Sequence, residues 1–231
     1  MSTLFTSLLL ISVMISAQVK TTSYTVHRIH SSITLTGKGD DALWKSAPLL
    51  SDFSYPWENG IPPSTRFKAL HDDDWLYCLF EVEDSRIHVL TDKNEKWEVA
   101  SSDRVEIFFR TDQRLTPYYC LEIDPTGRVL DYEATFHRKF NIAWSWPVKQ
   151  LVIKTAAIKD GYVVEIAISK ASLQQLGILN GSSIEAGLYR AECTQAEDPQ
   201  AHMRWISWIK PDSPTPDFHI ASSFGILSLS E

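Results

Sequence analysis

Apolar and polar residues alternate with a period of two along most of this chain. Thr65-Arg66-Phe67-Lys68-Ala69-Leu70 alternates, the acidic turn His71–Asp74 follows, and Trp75 to Asp84 (WLYCLFEVED) continues as a long run. Together they predict a hairpin. Further strands are predicted at Val105–Arg110, Tyr118–Ile123, Val129–Ala134, Leu151–Ile158, Tyr162–Ser169, Ser183–Cys193, Arg204–Ile209 and Phe224–Leu229. Asp124-Pro125-Thr126-Gly127 and Lys159-Asp160-Gly161 supply turns between them, because Pro presets φ and Gly accepts a positive one.

Helical spacing is scarce. Asp40 and Asp41 can cap one turn through Trp44, and Lys170–Leu176 can form two turns ending at Gly177. About ten strands without a βαβ rhythm predict an all-β domain, an antiparallel and jelly-roll-like β-sandwich with one or two short helices. The Pro-rich stretch 211–216 reads as a stiffened loop within one domain.

The N-terminus changes the picture of where the domain works. Leu4 to Ile15 is an apolar run followed by Ser16-Ala17-Gln18, where a small residue precedes a cleavage point. A spanning helix needs roughly 20 apolar residues, so the run is short for an anchor. No Lys or Arg precedes it, which is unusual for a signal. We read residues 1–17 as a secretory signal peptide and 18–231 as the domain, secreted or periplasmic and without a membrane span. A net charge of −7, from 22 basic and 29 acidic residues, argues against nucleic acid as a partner. Cys78, Cys120 and Cys193 lie in apolar runs and read as buried thiols, with one disulfide the alternative.

The segment Lys96–Arg110, KWEVASSDRVEIFFR, carries the most chemistry. It sets Trp97 on a loop just before a strand that bears Glu106. An indole face covers the apolar side of a pyranose, and a carboxylate accepts bonds from its hydroxyls. A core Trp capping a sheet edge is the competing reading. Trp57 lies in the turn-rich Tyr55–Gly60 loop, and Trp144 and Trp146 share one face if extended. For each of these, core and binding face stay open. Trp44, Trp75, Trp205 and Trp208 sit in regular segments and read as core.

Several segments in order resemble the family 9 carbohydrate-binding modules. They are Gly39–Trp44, the Thr65–Asp84 hairpin, Trp97-Glu98, Asp103–Phe109, Gly161–Ile168, and Ser207-Trp208 before Phe224–Leu227. The resemblance spans roughly Val26 to Leu229. It implies a β-sandwich that grips a poly- or oligosaccharide between two facing aromatics, which fall on Trp97 and Phe218. It makes Glu106 the hydroxyl-binding carboxylate. His219, next to Phe218, reads as a hydrogen-bonding neighbour of a sugar, with a satisfied structural His as the competing reading. The family's Arg on the next strand has no clean counterpart, since Glu122 stands there. The resemblance also implies that calcium can be held structurally, with Asp84 and Asp103 as candidates; solvated loop acids are the other reading. No cofactor is required, and a monomer is expected.

These features lead to a secreted protein that captures polysaccharide, of plant type by expectation, for carbohydrate catabolism. The alternative is a glycoside hydrolase using a carboxylate pair in the same cleft, since Glu106, Glu122, Glu133 and Glu165 are spread over strands. No Gly-x-Ser-x-Gly or His-Glu-x-x-His motif is present, and nothing marks a catalytic pair. A related sandwich holding haem or a partner protein is a third reading.

Overall fold

All ten predicted strands form, and Arg104–Arg110, Tyr118–Ile123 and Gly161–Ser169 are buried on both sides. The computed structural model describes residues 22–194 and 202–231, so the signal-peptide reading lies outside the described residues. Thirteen strands occur among them: β1 (Ser23–Arg28), β2 (Thr65–His71), β3 (Trp75–Glu83), β4 (Arg104–Arg110), β5 (Tyr118–Ile123), β6 (Val129–Thr135) and β7 (Lys139–Asn141). Then come β8 (Leu151–Ile158), β9 (Gly161–Ser169), β10 (Leu179–Asn180), β11 (Ser183–Cys193), β12 (Met203–Ser207) and β13 (Gly225–Leu229). The protein is all-β, with one α-helix, α1 (Lys170–Gln175), and three short 3-10 segments among the described residues.

The strands join in one curled path, β7-β6-β5-β4-β11-β13-β1-β2-β3-β9-β8, with β10 and β12 hanging on β11. β1 pairs parallel with both β13 and β2, which departs from the all-antiparallel expectation. It closes the curl because its two edges serve different halves of the path. The main core lies between those halves, where Phe67, Phe80 and Ile166 meet Ile107, Leu121 and Leu188. Cys78 is buried in this core.

Local chemistry sets the ends of these elements. Asp41 caps the Ala42–Ser46 turn by accepting the Leu43 N–H, as the sequence predicts. Ser169 caps α1 through the Ser172 N–H. Gly161 opens β9 with φ of 155°, where a Cβ would meet the Val82 carbonyl oxygen at 1.8 Å, so a side chain has no room there. Among the described residues, no helix is long and apolar enough to cross a membrane.

Candidate functional site

Alternation gives β4 and β5 two different faces. Val105, Ile107 and Phe109 enter the main core, as do Tyr119, Leu121 and Ile123. Arg104, Glu106, Phe108, Tyr118, Cys120 and Glu122 therefore project from the other face. Antiparallel register sets Glu106 directly opposite Glu122 on β5 and Tyr189 on β11. Phe108, Tyr118, Tyr132, Tyr189, Phe218 and Phe224 form a second apolar cluster on this face. It is covered only in part, and a cavity of about 290 Å³ opens above it.

The floor of the cavity is ionic. Arg104 Nε lies 2.9 Å from Glu106 Oε1 and 2.8 Å from Glu122 Oε2, with all three side chains buried. One N–H is thus shared between two carboxylates and cannot satisfy both in full. Tyr132 donates to Glu122 Oε1 at 2.8 Å, and Arg104 Nη1 donates to the Ala100 carbonyl at 2.9 Å. Burial and then the charge of Glu122 push Glu106 up to about 8, against the pull of Arg104.

The walls are aromatic. The loop bearing Trp57 is pinned to β12 by Glu58, which holds Arg204 Nε at 2.9 Å, and by a backbone bridge from Ser54 to Ser207. The Trp57 indole N–H donates to the Ser213 carbonyl at 2.9 Å, and its ring lies 5.2 Å from Phe218. Trp205 meets Phe218 edge-on at 5.7 Å, with the Arg104 guanidinium 5.4 Å over its ring. Phe218 itself stacks on Tyr189 at 4.0 Å and 13°. Tyr189 can lie flat because Gly187 has no side chain; a Cβ there would sit 1.9 Å from the tyrosine oxygen. His219 stacks on Phe108 at 5.2 Å with its Nδ1 3.0 Å from the Tyr118 oxygen, and burial lowers its pKa to about 3. It is a neutral wall. At the mouth, Arg138 Nη2 and His137 Nε2 both hold Asp217, at 3.1 and 2.7 Å.

Of the residues singled out from sequence, Trp57, Glu106, Phe218 and His219 line this one cavity. The two members of the expected facing pair differ in exposure. Phe218 is only 5% exposed, because Tyr189 covers one face and two indoles abut it. Trp97 stands on a 3-10 segment, Lys96–Ser101, which packs on β5 and β6; it is 47% exposed and lies outside the cavity lining. Trp144 belongs to the opposite face, against Tyr119 at 5.1 Å and Trp146 at 5.8 Å. Arg104, Trp205, Arg138 and Asp217 line the cavity without having been singled out. Arg104 was findable, since it sits two residues before Glu106 on an alternating strand. Trp205 reads as core, yet it lies on β12, a short strand hung on β11, and this indole is half-buried.

The calcium candidates Asp84 and Asp103 lie close to Arg190. Asp84 accepts the Arg86 N–H and Arg190 Nη2, each at 2.9 Å; Asp103 accepts the Cys193 N–H at 2.6 Å and the His88 N–H at 2.5 Å. All four oxygens are committed to donors, and Arg190 supplies the positive charge. Among the described residues, no group of three or more His, Cys, Asp or Glu is placed to hold a metal.

A family model described as "Carbohydrate family 9 binding domain-like" matches residues 35–231. The chain belongs to that family. Its fold is similar to that of a Bacteroides uniformis protein provisionally assigned to carbohydrate binding, at 15% identity and a TM-score of 0.69 over 91% of this chain and 100% of that one. It is also similar to a family 9 carbohydrate-binding module of Caldicellulosiruptor kristjanssonii in complex with glucose, at 18% identity and a TM-score of 0.60 over 89% and 95%. The cellotriose complex of a module from the same organism matches at 17% identity and a TM-score of 0.58 over 90% and 93%. No curated protein matches the chain.

Proposed function

We propose that this family 9 module captures a neutral oligo- or polysaccharide in the cavity above β4 and β5. In this reading it acts as a secreted or periplasmic monomer that serves the breakdown of plant-type glycans. The curled sheet, read as a jelly-roll-like sandwich, is the rigid support. One observation carries the proposal: a buried floor in which Glu106 and Glu122 share the one Arg104 Nε lies beneath walls of Trp57, Trp205 and Phe218. Apolar walls with a few fixed polar groups are the usual form of a small-ligand site. The floor can take and give hydrogen bonds to hydroxyls, while the rings cover C–H faces. The relatives bound to glucose and cellotriose support β-linked glucose units as the first ligands to try.

Binding is favoured over hydrolysis by the place of Arg104. A glycosidase needs a gap of roughly 5 Å or more between its carboxyls for the scissile bond. Here one guanidinium nitrogen lies within 2.9 Å of both Glu106 and Glu122 and fills that gap. A glycan array on the mature chain tests the reading. Retention of β-glucan oligosaccharides by the parent protein and its loss in Trp57→Ala supports it; a blank array overturns it.

A further inference from the structure

The cavity does not end the aromatic surface on this face. β7 is a three-residue edge strand with every residue exposed, and Phe140 at its centre keeps 40% of its surface in water. The ring is nevertheless held in place. It meets Tyr132 edge-on at 5.2 Å and His219 at 5.1 Å, and His219 is a wall of the cavity. Arg138, two residues earlier, also lines the cavity. Phe140 is thus a ring fixed by two others, one step beyond the cavity, with open surface toward solvent. Asn141, beside it, bonds Glu133 at 3.3 Å and provides polar company. A rigid exposed ring loses little conformational freedom when a ligand stacks on it.

We propose that Phe140 is a second stacking platform, on which the next sugar of an oligosaccharide rests while the first occupies the cavity. The proposal depends on the cavity being a sugar site, and the experiment separates the two. Glucose fills only the cavity, whereas cellotriose reaches past His219. One stacked ring corresponds to about a five- to tenfold gain in affinity.

The experiment is calorimetric titration of glucose and cellotriose into the parent chain, Phe140→Ala and Phe140→Trp, with melting curves to confirm folding. We expect the parent to favour cellotriose about five- to tenfold. In Phe140→Ala the cellotriose-to-glucose ratio falls to about one, and in Phe140→Trp it is kept or raised. An unchanged ratio in Phe140→Ala overturns the platform, as does equal affinity of the parent for both sugars; in either case the cavity reading stands. A parent chain that binds neither sugar overturns the cavity reading and the platform with it.

Discussion

Two buried arginines lie back to back in this protein, on adjoining strands and opposite faces. Arg104 pairs in register with Ala191, and Arg190 with Val105. Each guanidinium sits among acids, Arg104 between Glu106 and Glu122, Arg190 against Asp84 with Asp103 nearby. They differ in what the acids do with their oxygens. Asp84 and Asp103 accept from two donors on β11, Arg190 Nη2 and the Cys193 N–H, and from the Arg86 and His88 N–H groups of the loop after β3, so that cluster fastens the chain to itself. Glu106 and Glu122 instead share the one Arg104 Nε, and Glu122 also accepts from Tyr132. The same ion-pair chemistry is closed on one face and open on the other. Openness to a ligand, and not the presence of buried charge, is what separates a site from a strut.

The largest effect expected is on the closed cluster. Arg190→Met strands Asp84 as an uncompensated buried charge, which should cost about 3–5 kcal/mol in urea unfolding. A loss under about 1 kcal/mol would show that the cluster carries no such structural role. The open cluster should give itself away in binding instead. Trp205→Ala should weaken oligosaccharide binding about tenfold, with the fold intact by circular dichroism. Trp97→Ala, whose indole lies outside the cavity, should weaken it less than about threefold. Reversed magnitudes would return the site to the loop before β4.

Glu106 adds a pH signature. Its folded pKa is raised from 4.5 to about 8, so the native state holds more protons than the unfolded state between those values. Its contribution to stability is complete below the lower value and is lost as pH rises through the upper one. Unfolding midpoints should therefore fall from pH ~5 to pH ~9, and Glu106→Gln should flatten that decline. A profile indifferent to the substitution would mean that the proton resides elsewhere. The smallest effect is expected from calcium. With Arg190 supplying the cation, excess chelator should leave the melting temperature unchanged, whereas a drop of several degrees would restore Asp84 and Asp103 as ligands.

How much of this was legible follows from the range of each interaction. Most strands of five residues or more announce themselves in the pattern, and β2 and β9 run almost where it puts them, whereas six-residue β1 is not among those predicted. β7 and β10 have three and two residues, too few to show a period. The parallel pairing of β1 with both β2 and β13 is a property of closure that no local pattern encodes. In the site, Glu106 could be read because its strand fixes its face. Phe218 could be located but not oriented, because its posture depends on Tyr189, which β11 brings from 29 positions earlier in the chain. Trp97 drew attention as an indole beside a strand, but which rings gather over that strand is decided by the loops around Trp57 and Phe218.

The most direct test is a crystal structure of the protein soaked with cellotriose. The account predicts a hexose ring in the cavity beside Trp57 and Trp205, with a hydroxyl within hydrogen-bonding distance of Glu106. A sugar resting on Trp97 instead, with the Arg104 floor untouched, would contradict it.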